Sequence, residues 1–261
     1  MTTVEFITEL FCRVDDAMKN LKKHSQANLH PSEVVTIGLL FALKGGGCRP
    51  FYRWLTRDYL PLFPGLPDRT RLFRLLAAHQ NWTARFLAAP SLIGVADSYG
   101  IELLHPRREG KTQNQIGKKG KSNLRWIVGA KLCLVLNHLG LVVGWDVDGA
   151  NVYDGHRFQS LIEQTPSVVF ADTGFRNKAG NPDNLRLCKR GEWNVRMVVE
   201  TVHSMLTTVC HFKKVSHRVW EYLSARLAFT IAVFNLLAGW HGLKPDPETG
   251  FVKLSIAEFS L

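Results

Sequence analysis

The chain has 261 residues, of which 46% are hydrophobic and 21% charged, so its composition is that of a folded globular protein and not of a disordered chain. Lysine and arginine number 33 against 22 aspartate and glutamate, and the net charge of +11 favours a polyanionic partner, with nucleic acid first and an anionic membrane second. The five cysteines are widely spaced and include no CxxC pair, which excludes the common zinc patterns and favours reduced thiols in a cytosolic protein.

The first part of the chain, residues 1–89, is predicted to be all helical, because its apolar residues recur with helical spacing. A second helix is predicted to start at Pro31, with Ser32 as its N-cap, and to stop at the glycines 45–47. An aromatic segment follows it. The region closes with a basic helix over residues 69–87.

Beyond residue 90 the pattern changes to a mixture of strands and helices, which predicts an α/β fold. The most apolar stretch, residues 223–240, contains Arg226 and Asn235 and is therefore predicted to be a buried helix rather than a membrane span. The predicted elements are a strand over 91–104, a polar connection over 105–125, a hairpin of 126–136 and 141–147, a helix over 154–164, a strand over 168–171 and helices from Trp193 onward.

Three acidic residues stand in settings that suit a metal site. Asp97 ends an apolar run that predicts a buried strand, Asp172 ends a second such run, and Glu200 lies in a helical pattern. A carboxylate at the end of a buried strand is costly unless a cation neutralises it. Two divalent ions about 4 Å apart can activate an oxygen nucleophile and stabilise the leaving oxygen of a phosphodiester. The three acids in a strongly basic chain therefore predict a hard-cation site that cuts phosphodiester bonds.

Each acid taken alone also has an ordinary structural interpretation. An aspartate at a strand end commonly forms a turn or caps a helix, and Glu200 could pair with Arg196 on a helix surface. A fourth acid, Asp154, is predicted to cap the helix that follows it. The combination of three acids, the strand order and the basic charge favours the functional interpretation.

The sequence around the three acids resembles the acidic motifs of bacterial insertion-sequence DDE transposases, which share the RNase H-like fold. The resemblance covers about residues 91–240 and rests on the segments 96–98, 170–175 and 196–201. It implies a helical DNA-binding region, an RNase H-like DDE catalytic domain and a C-terminal tail. The implied bounds of these regions are 1–89, 90–240 and 241–261. The implied catalytic and metal-binding residues are Asp97, Asp172 and Glu200.

The resemblance implies a transposase of a mobile element. Such an enzyme cleaves double-stranded DNA at the element ends with Mg²⁺ or Mn²⁺, as two ions, and transfers the exposed 3′-hydroxyl into target DNA. Because two ends must be brought together, a homodimer or larger assembly on DNA is expected, in the bacterial cytoplasm at the nucleoid and without a membrane partner. Two alternatives stay open: an RNase H-like nuclease that only hydrolyses, and a non-catalytic remnant that binds DNA.

Residues 105–125, called here the basic segment, carry seven cations against the single acid Glu109. The segment begins eight residues after Asp97 and is expected to overhang the acids and to hold DNA through its phosphates. A solvated loop is the alternative interpretation. The predicted DNA-binding residues are Arg107, Arg108, Lys111, Lys118, Lys119, Lys121 and Arg125 in this segment, and Arg196, Lys213 and Lys214 further along the chain.

Overall fold

The computed structural model describes residues 1–122, 125–189, 196–212, 215, 217–243, 247, 252 and 254–261, with Ser122, Arg196 and Met197 described by their backbone alone. The helices in this part of the chain are α1 (Thr3–Ala17), α2 (Pro31–Lys44), α3 (Cys48–Asp58), α4 (Arg69–Ala78), α5 (Asp154–Arg157), α6 (Gln159–Glu163), α7 (Arg196–Thr208) and α8 (Trp220–His241). The strands are β1 (Ile93–Leu104), β2 (Lys118–Ser122), β3 (Arg125–Leu136), β4 (Val142–Gly149), β5 (Val168–Asp172) and β6 (Leu185–Cys188).

The four predicted helices of the front end are present, with one wrong cap and one shortened helix. α2 begins at Pro31 after the N-cap residue His30, so Ser32 lies inside the helix, where its hydroxyl is 2.8 Å from His30 Nδ1. Proline suits the first helical position because its fixed φ is helical and its missing N–H has no partner to lose there. α4 ends at Ala78, and a 3₁₀ segment over Gln80–Phe86 replaces the rest of the predicted helix.

The long helix α8 joins the front end to the sheet. Arg226, only 2% exposed, donates hydrogen bonds to the carbonyls of Phe41 and Ala42 in the last turn of α2, where unsatisfied carbonyls favour a cation. Further along α8, Asn235 bonds both the N–H and the C=O of Val142 on β4. By length and composition α8 could cross a membrane, yet 78% of its apolar 18-residue stretch is buried inside the molecule. This agrees with the predicted buried helix.

The sheet is mixed and has the strand order β4–β3–β1–β5–β6, with β2 pairing with the first residues of β3. The strands β3 and β4 form the predicted hairpin, β1 lies antiparallel to β3, and β5 and β6 continue the sheet in parallel. The strands β2 and β6 were not predicted. The fold class is confirmed: a mixed α/β unit preceded by an all-α region.

Side chains alternate between the two faces of the sheet, and each face has its own cover. On the first face Val95, Leu132 and Leu134 join one continuous core with α7, α8 and the front-end helices. On the second face Cys133 and Val135 pack with residues of α6 and with Phe158, which separates α5 from α6. The acids described next lie on the first face.

Candidate active site

Asp97 and Asp172 lie side by side on neighbouring parallel strands. β1 and β5 pair in parallel with Val95 opposite Phe170, and each aspartate lies two residues further along its strand. Because side chains alternate with a period of two, both carboxylates leave the sheet on the same face, the face that α7 covers. The two acids are 75 residues apart in the chain, and each stands two residues beyond the last paired residues of two neighbouring strands.

The backbone around each aspartate limits where its carboxylate can lie. Asp172 ends β5 and caps the 3₁₀ turn that follows, because its Oδ1 accepts a hydrogen bond of 2.8 Å from the Gly174 amide. Its side chain is exposed. Asp97 is half-buried, and its Oδ1 accepts a bond of 2.8 Å from the Ser98 amide. Thus the turn-forming role of Asp172 is present, and it is compatible with a second role for the same exposed group.

Glu200 lies on α7, the helix that covers the acid face. Val199 and Val202 of this helix are buried in the core, and the His203 ring stacks on Tyr99 of β1 with 4.7 Å between centroids. Tyr99 is two residues beyond Asp97 on β1, and Glu200 is one helical turn before His203, so Glu200 is carried by the helix that packs on the strand of Asp97. Its carboxylate is exposed and has interactions with neighbouring groups.

The three acids do not form a closed metal cage. Within the described ranges, no group of three or more His, Cys, Asp or Glu side chains lies close enough to hold a metal ion. The structure places Asp97 and Asp172 on one face of neighbouring strands and Glu200 on the covering helix. A pair of carboxylates fits the chemistry of Mg²⁺, which usually binds through one or two carboxylates together with substrate phosphates and waters.

The predicted capping role of Asp154 is wrong. The N-cap of α5 is Tyr153, and no side chain caps that helix. The Asp154 carboxylate accepts instead a bond of 2.7 Å from Ser98 Oγ and lies 2.8 Å from Lys131 Nζ on β3. The Lys131 and Asp154 side chains are only 12% and 14% exposed, so the aspartate neutralises a lysine that is largely removed from water.

This Ser98–Lys131–Asp154 network lies on the second face of the sheet, directly behind the acid pair. Ser98 follows Asp97 in the chain, so the network fixes β1 at the residue next to a candidate ligand. Burial, together with the nearby carboxylates of Asp154 and Asp97, raises the pKa of the neighbouring Cys133 thiol. The sequence did contain a signal for this network, since Lys131 is the only charge between Trp126 and Leu136.

The basic segment does not overhang the acid pair. Its ordered part, β2, pairs with the start of β3, where Lys119 is opposite Val128, whereas Asp97 is opposite Leu134. Six strand residues separate these positions, or about 20 Å along the sheet. The seven cations of the segment are all exposed, and Glu109 lies 3.8 Å from Lys119.

Three predicted DNA-binding residues have no described side chain. Arg196 begins α7, and only its backbone is described. Lys213 and Lys214 lie outside the described residues, beyond the end of α7 at Thr208. Their contribution to DNA binding therefore stays a prediction.

Residues 88–190 match the family model described as a transposase DDE domain. This stretch contains Asp97, Asp172 and the Ser98–Lys131–Asp154 network, and it ends before α7. The match confirms the resemblance to DDE transposases, and the mixed sheet is consistent with an RNase H-like DDE domain. No curated protein and no solved structure matched the chain.

Proposed function

From the transposase DDE domain at residues 88–190 we infer that this protein is a transposase of an insertion sequence, acting on DNA. We propose that it cleaves double-stranded DNA at the element ends in a metal-dependent reaction and joins the exposed 3′-hydroxyl to target DNA. The observation that supports this most directly is the position of Asp97 and Asp172, each two residues beyond the last paired residues of β1 and β5 and on the face that α7 covers.

In this proposal Asp97, Asp172 and Glu200 are the catalytic residues and the metal ligands. DDE transposases in general use divalent metal ions, and bound Mg²⁺ or Mn²⁺, as two ions, would activate the attacking oxygen and stabilise the leaving one. The two aspartates supply hard oxygen ligands from rigid strands. Glu200 supplies the third carboxylate from the covering helix, which is separately packed against β1.

The remaining groups of the domain orient these acids and hold DNA. Asp154 and Lys131 hold Ser98 and with it the strand that carries Asp97. The ordered cations of the basic segment lie about 20 Å along the sheet from the acid pair. One turn of a DNA duplex can span this distance. The proposed DNA-binding set is Arg107, Arg108, Lys111, Lys118, Lys119, Lys121, Arg125, Arg196, Lys213 and Lys214.

We further propose that two copies or more assemble on DNA, because an element has two ends and each needs an active site. The front end, residues 1–89, would read the end sequences, since its helices α3 and α4 carry exposed arginines. The protein would act in the bacterial cytoplasm, on DNA of the nucleoid.

Incubation of the whole chain with Mg²⁺ and DNA that carries the flanking inverted repeats tests this function. The proposal predicts nicks at the element ends with free 3′-hydroxyls, followed by products in which these ends are covalently joined to a target plasmid. Cleavage without joined products would support the hydrolytic nuclease instead. Binding of the repeats without cleavage in Mg²⁺ or Mn²⁺ would support the non-catalytic remnant.

A further inference from the structure

Trp126 is an exposed aromatic side chain directly after the basic segment, on β3. It lies near the start of β3 and is 60% exposed, although tryptophan is usually well buried in a folded protein. The Lys119 ammonium lies 5.7 Å from the centroid of its ring, and Lys121 is its direct cross-strand partner. The exposed ring is therefore bordered by cations on the neighbouring strand.

Strand pairing fixes the backbone that carries this ring. β2 and β3 pair over five successive residues, from Lys118 opposite Gly129 to Ser122 opposite Arg125. Gly120, between the two lysines, packs so closely on the chain that a Cβ there would lie 1.7 Å from the Ala150 carbonyl oxygen. The position of Trp126 thus depends on regular strand pairing and a close backbone contact.

Trp126 also lies on the same face of the sheet as the aspartate pair. Residues 126, 128, 130, 132 and 134 alternate regularly along β3, and Leu134 is the cross-strand partner of Asp97. Since paired residues share a face, the ring, Lys119, Lys121 and Asp97 all lie on one side. Between the ring and the acids this side is covered by helices, since Val128, Ala130 and Leu132 are fully buried, so the exposed ring lies beyond the covered part.

The charges around the ring suit a polyanion. Glu109 lies 3.8 Å from Lys119, and Glu102 lies 3.5 Å from Arg125, the residue before Trp126. Lys121 has no ion pair within the part of the chain that the structure describes. Both glutamate pairs are at least one-third exposed, so these pairs are weak and exchange readily with phosphate.

We propose that Trp126 is a binding residue for an unpaired base of DNA, which stacks on the indole while Lys119 and Lys121 hold the adjacent phosphates. An unpaired base is required because bases within a duplex have both faces covered by their neighbours. Stacking of this kind is tolerant of sequence, since every base has a π face. The inference rests on the proposed action on DNA and adds a site that is separate from the acids.

The test compares binding of the whole chain to two short duplexes in the presence of EDTA, which prevents cleavage. One duplex is fully paired, and the other carries a single unpaired 2-aminopurine, whose fluorescence falls when the base stacks. The wild type is expected to prefer the bulged duplex and to quench the probe. Trp126→Ala should lower this preference by about tenfold or more and abolish the quenching, while Trp126→Phe retains most of both.

Two control variants separate stacking from general affinity. Tyr153→Ala removes another exposed aromatic, outside the basic segment, and should leave the preference unchanged. Lys119→Ala combined with Lys121→Ala should weaken binding to both duplexes by a similar factor and leave the preference in place. Equal preference and equal quenching in wild type and Trp126→Ala would overturn the proposal. So would a Trp126→Ala protein that loses self-association but keeps the preference, because the ring would then bind a second copy.

The same samples distinguish this inference from the proposed function. Asp172→Asn is expected to keep the preference for the bulged duplex. A wild type that shows the Trp126-dependent preference but never cleaves end DNA would overturn the transposase proposal alone. A wild type that cleaves end DNA but shows no Trp126-dependent preference would overturn the stacking site alone.

Discussion

At the scale of single residues, His203 lies next to the candidate site and is an unusual case of a buried imidazole without hydrogen bonds to the described part of the chain. Its side chain is 8% exposed, and neither ring nitrogen has a hydrogen-bond partner among the described residues. Burial lowers its pKa from 6.5 to about 4, so the folded protein holds the imidazole neutral. The ring packs by stacking on Tyr99 and thereby helps to place α7 over the acids.

This burial predicts a dependence of stability on pH. Between pH 6.5 and 4 the unfolded chain binds a proton at His203 that the folded chain does not bind, so stability is complete above this window and falls as the pH drops through it. At about pH 5 the loss should be roughly 2 kcal/mol relative to pH 7. Urea unfolding at both pH values measures this difference, which His203→Leu should reduce by that amount.

A matched control is His138→Leu, which removes an exposed histidine at the β3–β4 turn and should leave the difference unchanged. Burial also lowers the pKa of His217 to about 4, so a dependence of similar size and the same sign should remain in the His203 variant. If His203→Leu retained the full pH dependence, His203 would not be the buried neutral group described here.

The candidate site was predictable from sequence at some residues and not at others. The strand positions of Asp97 and Asp172 could be predicted because each follows an apolar run, and a run of that kind predicts a buried strand, while their catalytic role stays a prediction. The role of Asp154 could not, because its partners Ser98 and Lys131 are 56 and 23 residues away in the chain and meet it only through strand pairing. The prediction considered only neighbours in sequence and therefore assigned Asp154 to the start of α5 instead of to Ser98 and Lys131.

At the scale of secondary-structure elements, α2 and α8 form a contact so close that one glycine is essential to it. A Cβ built on Gly38 of α2 would lie 2.3 Å from the ring of Phe229 on α8. Both helices are buried along most of their length, so neither can move away without opening the core.

The strands that were not predicted lie at the margins of the sheet: β6 is a short edge strand, and β2 pairs only with β3. The sequence of β2 is Lys-Lys-Gly-Lys-Ser and that of β6 is Leu-Arg-Leu-Cys. Neither contains a long alternation of apolar and polar residues, which is the pattern that predicts a strand.

Gly38→Ala therefore tests the helix contact. Alanine favours a helix over glycine by about 1 kcal/mol, but overpacking of a dense core typically costs about 1–3 kcal/mol, so the variant should be destabilised on balance. Gly239→Ala near the end of α8 is the control, because nothing lies within 4 Å of its Cβ position and the variant should gain up to about 1 kcal/mol. Thermal unfolding of the two variants should give shifts of opposite sign, and a stabilised Gly38→Ala would contradict the packing described for α2 and α8.

At the scale of the whole molecule, the front end and the sheet share one hydrophobic core. Phe6 of α1 stacks on Trp240 of α8 with 5.6 Å between centroids, and residues of α1, α2, β1 and β3 belong to the same cluster. Helical periodicity predicted the individual helices well, but it does not specify which distant helix covers an apolar face. In the proposed function residues 1–89 read the end sequences and the sheet carries the catalytic aspartates. These two regions are thus not separated from each other but share a continuous core.

The distribution of charge over this molecule predicts how DNA affinity depends on salt. Replacing Lys118, Lys119 and Lys121 by glutamine should make the slope of log affinity against log salt shallower by about 0.9 for each phosphate that the variant no longer neutralises. The matched control replaces the exposed Lys19, Lys22 and Lys23 of the α1–α2 connection by glutamine, which removes the same charge elsewhere. A slope equal to that of the wild type for the Lys118, Lys119 and Lys121 variant would mean that the basic segment is only a solvated loop.

The central claim, that Asp97, Asp172 and Glu200 form one catalytic site for DNA cleavage, is tested most directly by Asp172→Asn against Asp183→Asn. Both substitutions remove one negative charge from an exposed aspartate, and the two positions are only 11 residues apart. Cleavage of end-containing DNA in Mg²⁺ should be lost in Asp172→Asn and retained in Asp183→Asn, while both variants bind the DNA as the wild type does. Normal cleavage by Asp172→Asn would contradict the account.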